Sequence, residues 1–244
     1  MSFMPPRSVH RVAPVRSYGK GEGLVQTIAR AVAVTVGCAL VFLVTTTLRT
    51  VAADAPVKIV ALGDSLTAGS GLPGEAAFPA RLERALMAKG YAVEISNAGT
   101  GGDTASAGLA RLDWSVPEGT DAVIVELGAN DALRGVDPEL TRAALRDILR
   151  RLKERGIPVL LSGMRAPRNM GDDYARAFDA IFAELAAENE AILYPFFLDG
   201  VAADRGLNLP DGLHPNAQGV EEIVRRILPK VEELIARVKA KRNS

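Results

Sequence analysis

The stretch Val57-Lys58-Ile59-Val60-Ala61-Leu62-Gly63-Asp64-Ser65-Leu66 decides the fold. Its first six residues are a short apolar run broken by one lysine, and a glycine follows. A run of that kind reads as a strand buried on both faces, as in a parallel sheet. Outward from it, strand and helix alternate. Phe78–Lys89 carries Leu82, Ala85 and Leu86 on one face and stops at Gly90. Tyr91–Ser96 is a second strand, and Thr104–Leu112 a short helix capped by Asp103 or Thr104. Asp121–Leu127 is a third strand. Pro138–Arg155 is the clearest helix, with proline in its first turn, an apolar stripe from Leu140 to Leu152 and a Gly156 stop. Pro158–Ser162 is a fourth strand, Asp172–Asn189 an amphipathic helix and Ala191–Pro195 a short fifth strand. Pro215–Lys241 closes the chain as a helix expected to bend or break at Pro229. This alternation predicts one α/β domain, a mainly five-stranded parallel sheet with helices on both faces.

The first 55 residues stand apart. Ala31–Leu48 is eighteen residues without a charge, flanked by Arg30 and Arg49 and preceded by a basic head (Arg7, Arg11, Arg16, Lys20). Small residues follow at Val51-Ala52-Ala53. The pattern matches a secretory leader, and residues 31–48 are also just long enough for an uncleaved membrane anchor. Both readings make 56–244 a domain outside the cytoplasm, periplasmic or secreted. Residues 1–55 hold six basic and two acidic groups, which leaves 23 basic against 27 acidic in the remainder. A mildly acidic domain lacks the cationic footprint of a nucleic-acid binder. The single cysteine, Cys38, excludes an intrachain disulfide. One histidine after residue 55 and scattered acids give no metal site. Gly69-Ser70-Gly71-Leu72-Pro73-Gly74 fits G-x-G-x-x-G, but it neither bridges a strand directly into a helix nor lacks proline, so nucleotide binding is excluded. No cofactor is expected.

In open parallel sheets ligands bind beyond the carboxyl ends of the strands. Four loops there carry chemistry: Gly63-Asp64-Ser65-Leu66, Asn97 to Thr104 with Gly99, Gly101 and Gly102, Gly128-Ala129-Asn130-Asp131, and Asp211-Gly212-Leu213-His214. A serine needs a base to become a nucleophile. His214 is the one histidine after residue 55, and Asp211 three residues before it can fix its tautomer. The Ser65 N–H, the Gly102 N–H and the Asn130 amide can serve a developing oxyanion. Taken singly, each feature is ordinary: a helix cap, a tight turn, a side-chain-mediated turn. Their placement on four loops at one sheet edge is not.

These four blocks, in this order, resemble those of the SGNH (GDSL) hydrolase superfamily over about Val57 to Ala236. The flanking text, from Asp64-Ser65-Leu66-Thr67-Ala68-Gly69 to Asp211-Gly212-Leu213-His214-Pro215-Asn216, is similar to the bacterial arylesterase, acyl-CoA thioesterase I and lysophospholipase L1 group. The resemblance implies a three-layer α/β/α, flavodoxin-like fold. It also implies Ser65 as nucleophile, His214 as base, Asp211 as its orienting carboxylate, and Ser65, Gly102 and Asn130 as oxyanion donors. Asp64, Leu66, Asp131, Arg165 and Met170 are the expected substrate contacts. The expected partner is a small acyl ester or thioester, with a membrane lipid left open as substrate and oligomeric state unread. A carbohydrate O-deacetylase and a non-catalytic envelope lipid-binding protein are the alternatives. The low aromatic content, 5%, argues mildly against a sugar platform.

Overall fold

The computed structural model describes Gly23 and residues 55–244. The leader or anchor expected over residues 1–55 lies almost wholly outside them. Five strands, β1 (Val57–Gly63), β2 (Val93–Gly99), β3 (Ala122–Glu126), β4 (Val159–Ser162) and β5 (Ile192–Tyr194), form one parallel sheet in the order β2-β1-β3-β4-β5. The helices are α1 (Ser65–Ala68), α2 (Phe78–Ala88), α3 (Ala105–Ala110), α4 (Leu112–Ser115), α5 (Ala129–Leu133), α6 (Pro138–Glu154), α7 (Asp172–Glu188) and α8 (Ala217–Arg242). α2 packs with α8, whereas α6 packs with both α3 and α7. The result is the three-layer α/β/α arrangement with a flavodoxin-like strand order. Every residue of β3 and of β4 is buried, as their continuous apolar runs require.

Two elements depart from the sequence reading. β2 begins at Val93 and runs on to Gly99, where Tyr91–Ser96 was expected. The Tyr91 N–H is taken by the Leu86 carbonyl at the end of α2, so Tyr91 belongs to that helix's cap. Pairing with β1 then continues residue by residue to Gly63↔Gly99 and draws Asn97-Ala98-Gly99 into the sheet. α8 is one helix through Pro229, not two, and it starts at Ala217 behind the Asn216 cap. A proline inside a helix costs about 3 kcal/mol. Beyond it Val231, Leu234, Ile235 and Val238 are all buried. Each contributes roughly 1.5–3 kcal/mol, so packing outweighs the lost hydrogen bond. Where α8 ends, Arg242 donates to the Ala55 and Pro56 carbonyls and pairs with Asp121, closing the amino edge of the sheet.

The strand order reverses between β1 and β3, and such a reversal opens a crevice at the carboxyl edge. The two strands end level there, with Gly63 opposite Glu126. A Cβ on Gly63 would stand 2.1 Å from Thr67 Oγ1 and 2.7 Å from the Glu126 carbonyl oxygen, so no larger residue fits. Beneath lies the Glu126 carboxyl, fully buried. Its Oε2 accepts from Thr67 Oγ1 (2.7 Å) and from the Asp64 N–H (3.4 Å), while Oε1 has no partner among the described residues. Burial, and after it the charge of Asp64, pushes the Glu126 pKa well above the ordinary glutamate value. A carboxyl that stays protonated in the folded state and ionises in the unfolded chain lowers stability as pH rises past its unfolded pKa, by up to about 1.4 kcal/mol per pH unit. Glu126→Gln removes that titration while keeping the shape. Thermal melts from pH 5 to 8 should therefore show the variant gaining on the parent as pH rises. A constant offset between the two would mean that Glu126 is ionised in the folded protein.

Candidate active site

Ser65 is the first residue of α1, separated from the end of β1 by Asp64 alone. Asp64 accepts from the Leu66 N–H (2.9 Å) through Oδ1 and so caps the helix. In this first-turn position the Ser65 N–H has no partner within the helix. His214 reaches Ser65 from the loop before α8. Asp211 folds that loop into a tight turn, its Oδ1 accepting from the Leu213 and His214 N–H groups at 2.8 and 3.0 Å. The loop is pinned further by Leu209 N–H to the His214 carbonyl (2.7 Å) and by Asn216, which caps α8 and donates to Gly206 O.

The side chains then form a chain of two short contacts. His214 Nδ1 lies 2.7 Å from Asp211 Oδ2, and His214 Nε2 lies 2.9 Å from Ser65 Oγ. The His214 backbone N–H, the imidazole and the Leu213 N–H hold the Asp211 pKa down at about 2. An ionised carboxylate only accepts, so Nδ1 carries the proton and Nε2 presents its lone pair to the serine hydroxyl. The arrangement can take the proton from Ser65 Oγ and return it to a leaving group.

The second loop brings Gly101 beside Ser65, where a Cβ would stand 4.0 Å from Ser65 Cβ. Asp103 N–H to Thr100 O (3.2 Å) closes a four-residue turn, with Gly102 at φ +82° in the position that a type II turn reserves for glycine. The Gly102 N–H makes no hydrogen bond among the described residues, and its carbonyl accepts from Arg134 Nη2 (2.9 Å). Asn130 is the second residue of α5, after the third strand. Its amide nitrogen donates to Asp64 Oδ2 and to the Asp103 carbonyl, both at 3.0 Å. Both protons of that amide are engaged, so a developing oxyanion must share one of them. Asp64 is itself buried, which pushes its pKa up to about 6 against the opposing effects of the Leu66 N–H and the Asn130 amide.

A cleft of about 510 Å³ opens beside Ser65, Asn130 and His214. Leu66, Leu133, Met164, Phe196, Leu198 and Leu213 make it mainly apolar, with Arg165 and Arg168 also in its wall. Arg165 lies over the Phe196 ring, 4.8 Å from its centroid. Three expected substrate contacts require correction. Asp64 and Asp131 are fully buried and offer a substrate no surface. Asp131 instead accepts from the Ala105 N–H (2.9 Å) and from Thr141 Oγ1 (3.0 Å), tying α3 and α6 to α5. Met170 lies outside the cleft wall, its methyl against Gly135. Leu66 and Arg165 do line the cleft. The sequence reading missed Phe196, Leu198 and Leu213, although an apolar Phe196-Phe197-Leu198 just past a strand's carboxyl end is itself a signal. No group of three or more His, Cys, Asp or Glu converges as a metal site among the described residues.

The model of the GDSL-like Lipase/Acylhydrolase family matches residues 61–221. The thioesterase 1/protease 1/lysophospholipase L1 of Escherichia coli (strain K12) is 41% identical over 176 residues, 72% of this chain and 82% of that protein. An arylesterase of Vibrio mimicus is 38% identical over 168 residues, 68% of this chain and 84% of that one. Among solved structures, AlinE4, an SGNH-hydrolase family esterase, superimposes with a TM-score of 0.63 at 46% identity, covering 73% of this chain and 96% of the other. A serine and a histidine in contact across a parallel sheet's carboxyl edge, in a sequence matched from the first strand into the last helix, place the chain in the GDSL-like lipase/acylhydrolase family as an ester-hydrolysing enzyme.

Proposed function

We propose that the protein hydrolyses carboxylic esters, acyl thioesters and lysophospholipids through an acyl-enzyme on Ser65. The observation that carries this reading is the unbroken chain Asp211–His214–Ser65, with contacts of 2.7 and 2.9 Å. His214 Nε2 takes the Ser65 proton as Oγ attacks the acyl carbon. Asp211 stabilises the imidazolium so formed. The carbonyl electrons move onto oxygen, where the Ser65 N–H, the Gly102 N–H and Asn130 meet the charge. Each such donor is worth about 2.7–4 kcal/mol in comparable sites. His214 then protonates the departing alcohol or thiol. A water molecule, deprotonated by the same nitrogen, releases the acid and regenerates Ser65.

The apolar cleft suits the acyl chain, and Leu66 and Arg165 are the contacts we assign to it. Sheltering one methylene is worth about 0.8 kcal/mol, roughly fourfold in kcat/KM. The names of the Escherichia coli and Vibrio mimicus relatives support the range of leaving groups. We assign residues 1–55 to a leader or anchor and 56–244 to a catalytic domain delivered outside the cytoplasm, on the strength of the basic head and the uncharged run 31–48.

Three measurements test this reading. Ser65→Ala should lower p-nitrophenyl acetate hydrolysis by at least about 10⁴-fold with the fold intact by circular dichroism; persistent turnover in a clean preparation excludes Ser65 as nucleophile. Across p-nitrophenyl esters of increasing length, kcat/KM should climb roughly fourfold per methylene until the cleft is full, and Phe196→Ala should flatten the climb. A profile independent of length would separate the cleft from the acyl group. In a Gram-negative host the full-length chain should be accessible to protease in spheroplasts, and protection of the whole domain would overturn the assignment of residues 1–55.

A further inference from the structure

We propose that Arg111 is a positioning residue of the oxyanion site, setting the distance between the loop that carries Ser65 and the loop that carries Gly102. This rests on the reading of Ser65, Gly102 and Asn130 as the oxyanion donors. Arg111 follows α3, outside all four motif blocks, and its side chain is only 18% exposed. Three nitrogens of its guanidinium are used, each on a different partner. Nε donates to Asp103 Oδ2 (2.6 Å), Nη1 to Ser115 Oγ (2.8 Å) and Nη2 to the Gly63 carbonyl (2.8 Å).

Two of those partners border the reacting groups. Gly63 is the last residue of β1, two before Ser65. Asp103 directly follows Gly102, and its own carbonyl accepts one proton of the Asn130 amide. A single rigid plane therefore spans the ends of two loops, and through the Asp103 backbone it reaches the third donor. The Gly63 carbonyl also accepts from the Thr100 N–H (3.0 Å), so the same oxygen anchors both ends of the glycine turn. A guanidinium fixes the angle between its donors, which a lysine ammonium on a flexible stem does not. Stability alone is a poor account of the pair. An ion pair with side chains 18% and 14% exposed gives up much of its hydration, which offsets its attraction. A donor that is useful only when placed within a few tenths of an ångström gives the clamp its purpose, because oxyanion donors act through preorganisation.

The test uses Arg111→Gln, Asp103→Asn and the double variant, assayed on a short-chain p-nitrophenyl ester at a temperature where each is folded by circular dichroism. Displaced donors weaken transition-state stabilisation without touching the acyl cleft. Arg111→Gln should thus lose on the order of 100-fold in kcat with KM within about twofold. Because the Asp103 carboxylate acts only through Arg111, the double variant should be no slower than the slower single. Guanidinium ion at millimolar concentration should restore at least about tenfold to Arg111→Ala and do nothing for the parent. Three results would each overturn the clamp: a folded Arg111→Gln within threefold of parental kcat, a loss confined to KM, or additive losses in the double variant. Should Arg111→Gln not fold, Asp103→Asn and the double variant, in which neither charge is left unpaired, decide the question by the first two criteria. Ser65→Ala runs alongside as control. An active Ser65→Ala enzyme defeats the acyl-enzyme reading itself, whereas an inactive one beside an unimpaired Arg111→Gln defeats only the clamp.

Discussion

A 2.9 Å contact joins two side chains that lie 149 positions apart, Ser65 and His214. It holds only because β1 and β3 stop level with each other and the loop before α8 returns to the same edge. A slip of one residue between β1 and β3 would move Ser65 by roughly 3.3 Å along the strand and turn the side chains of the slipped strand to the other face. The register is protected by volume. Gly63 has no room for a methyl group, and Thr67 and the Glu126 carbonyl occupy the space that one would need. The apolar runs on either side are buried, so any alternative alignment would drive the charges that flank them into the core.

The carboxyl edge also gathers groups that make poor core material. Asp64 and Glu126 are both fully buried acids in contact, and one Glu126 oxygen has no partner among the described residues. Their raised pKa values record a cost to the folded state. The same arrangement orients Asn130 through Asp64 and caps α1 at the serine. Local destabilisation beside well-aimed polar groups is a common pattern at reacting centres.

Much of this was legible in the sequence because its signals are local. The five apolar runs, the glycine stops after α2 and α6 and the prolines at helix starts each act within a few residues. The four loop blocks could be placed at one edge because parallel connectivity puts every strand's carboxyl end there. What could not be read depends on contacts between distant segments. Asn97-Ala98-Gly99 looks like a turn and is a strand, because β1 offers it partners up to Gly63. Pro229 looks like a bend or a break, and the helix runs through it unbroken, with buried side chains on both sides. Asp64 and Asp131 look like polar groups awaiting a ligand, and their partners turn out to be the protein's own N–H and hydroxyl groups. Polarity in a loop says that a partner exists but not whether that partner is a substrate.

The seam at the opposite edge has a practical meaning. Arg242 holds the carbonyls of Ala55 and Pro56 against Asp121, at the end of the sheet away from the cleft. Residue 55 is thereby fixed at the edge of the sheet opposite the cleft. A bead, a carrier protein or a purification handle joined directly at residue 55, in place of the residues before it, would start from the edge opposite the cleft, so the domain lends itself to immobilisation there without obstructing the traffic of substrate and product.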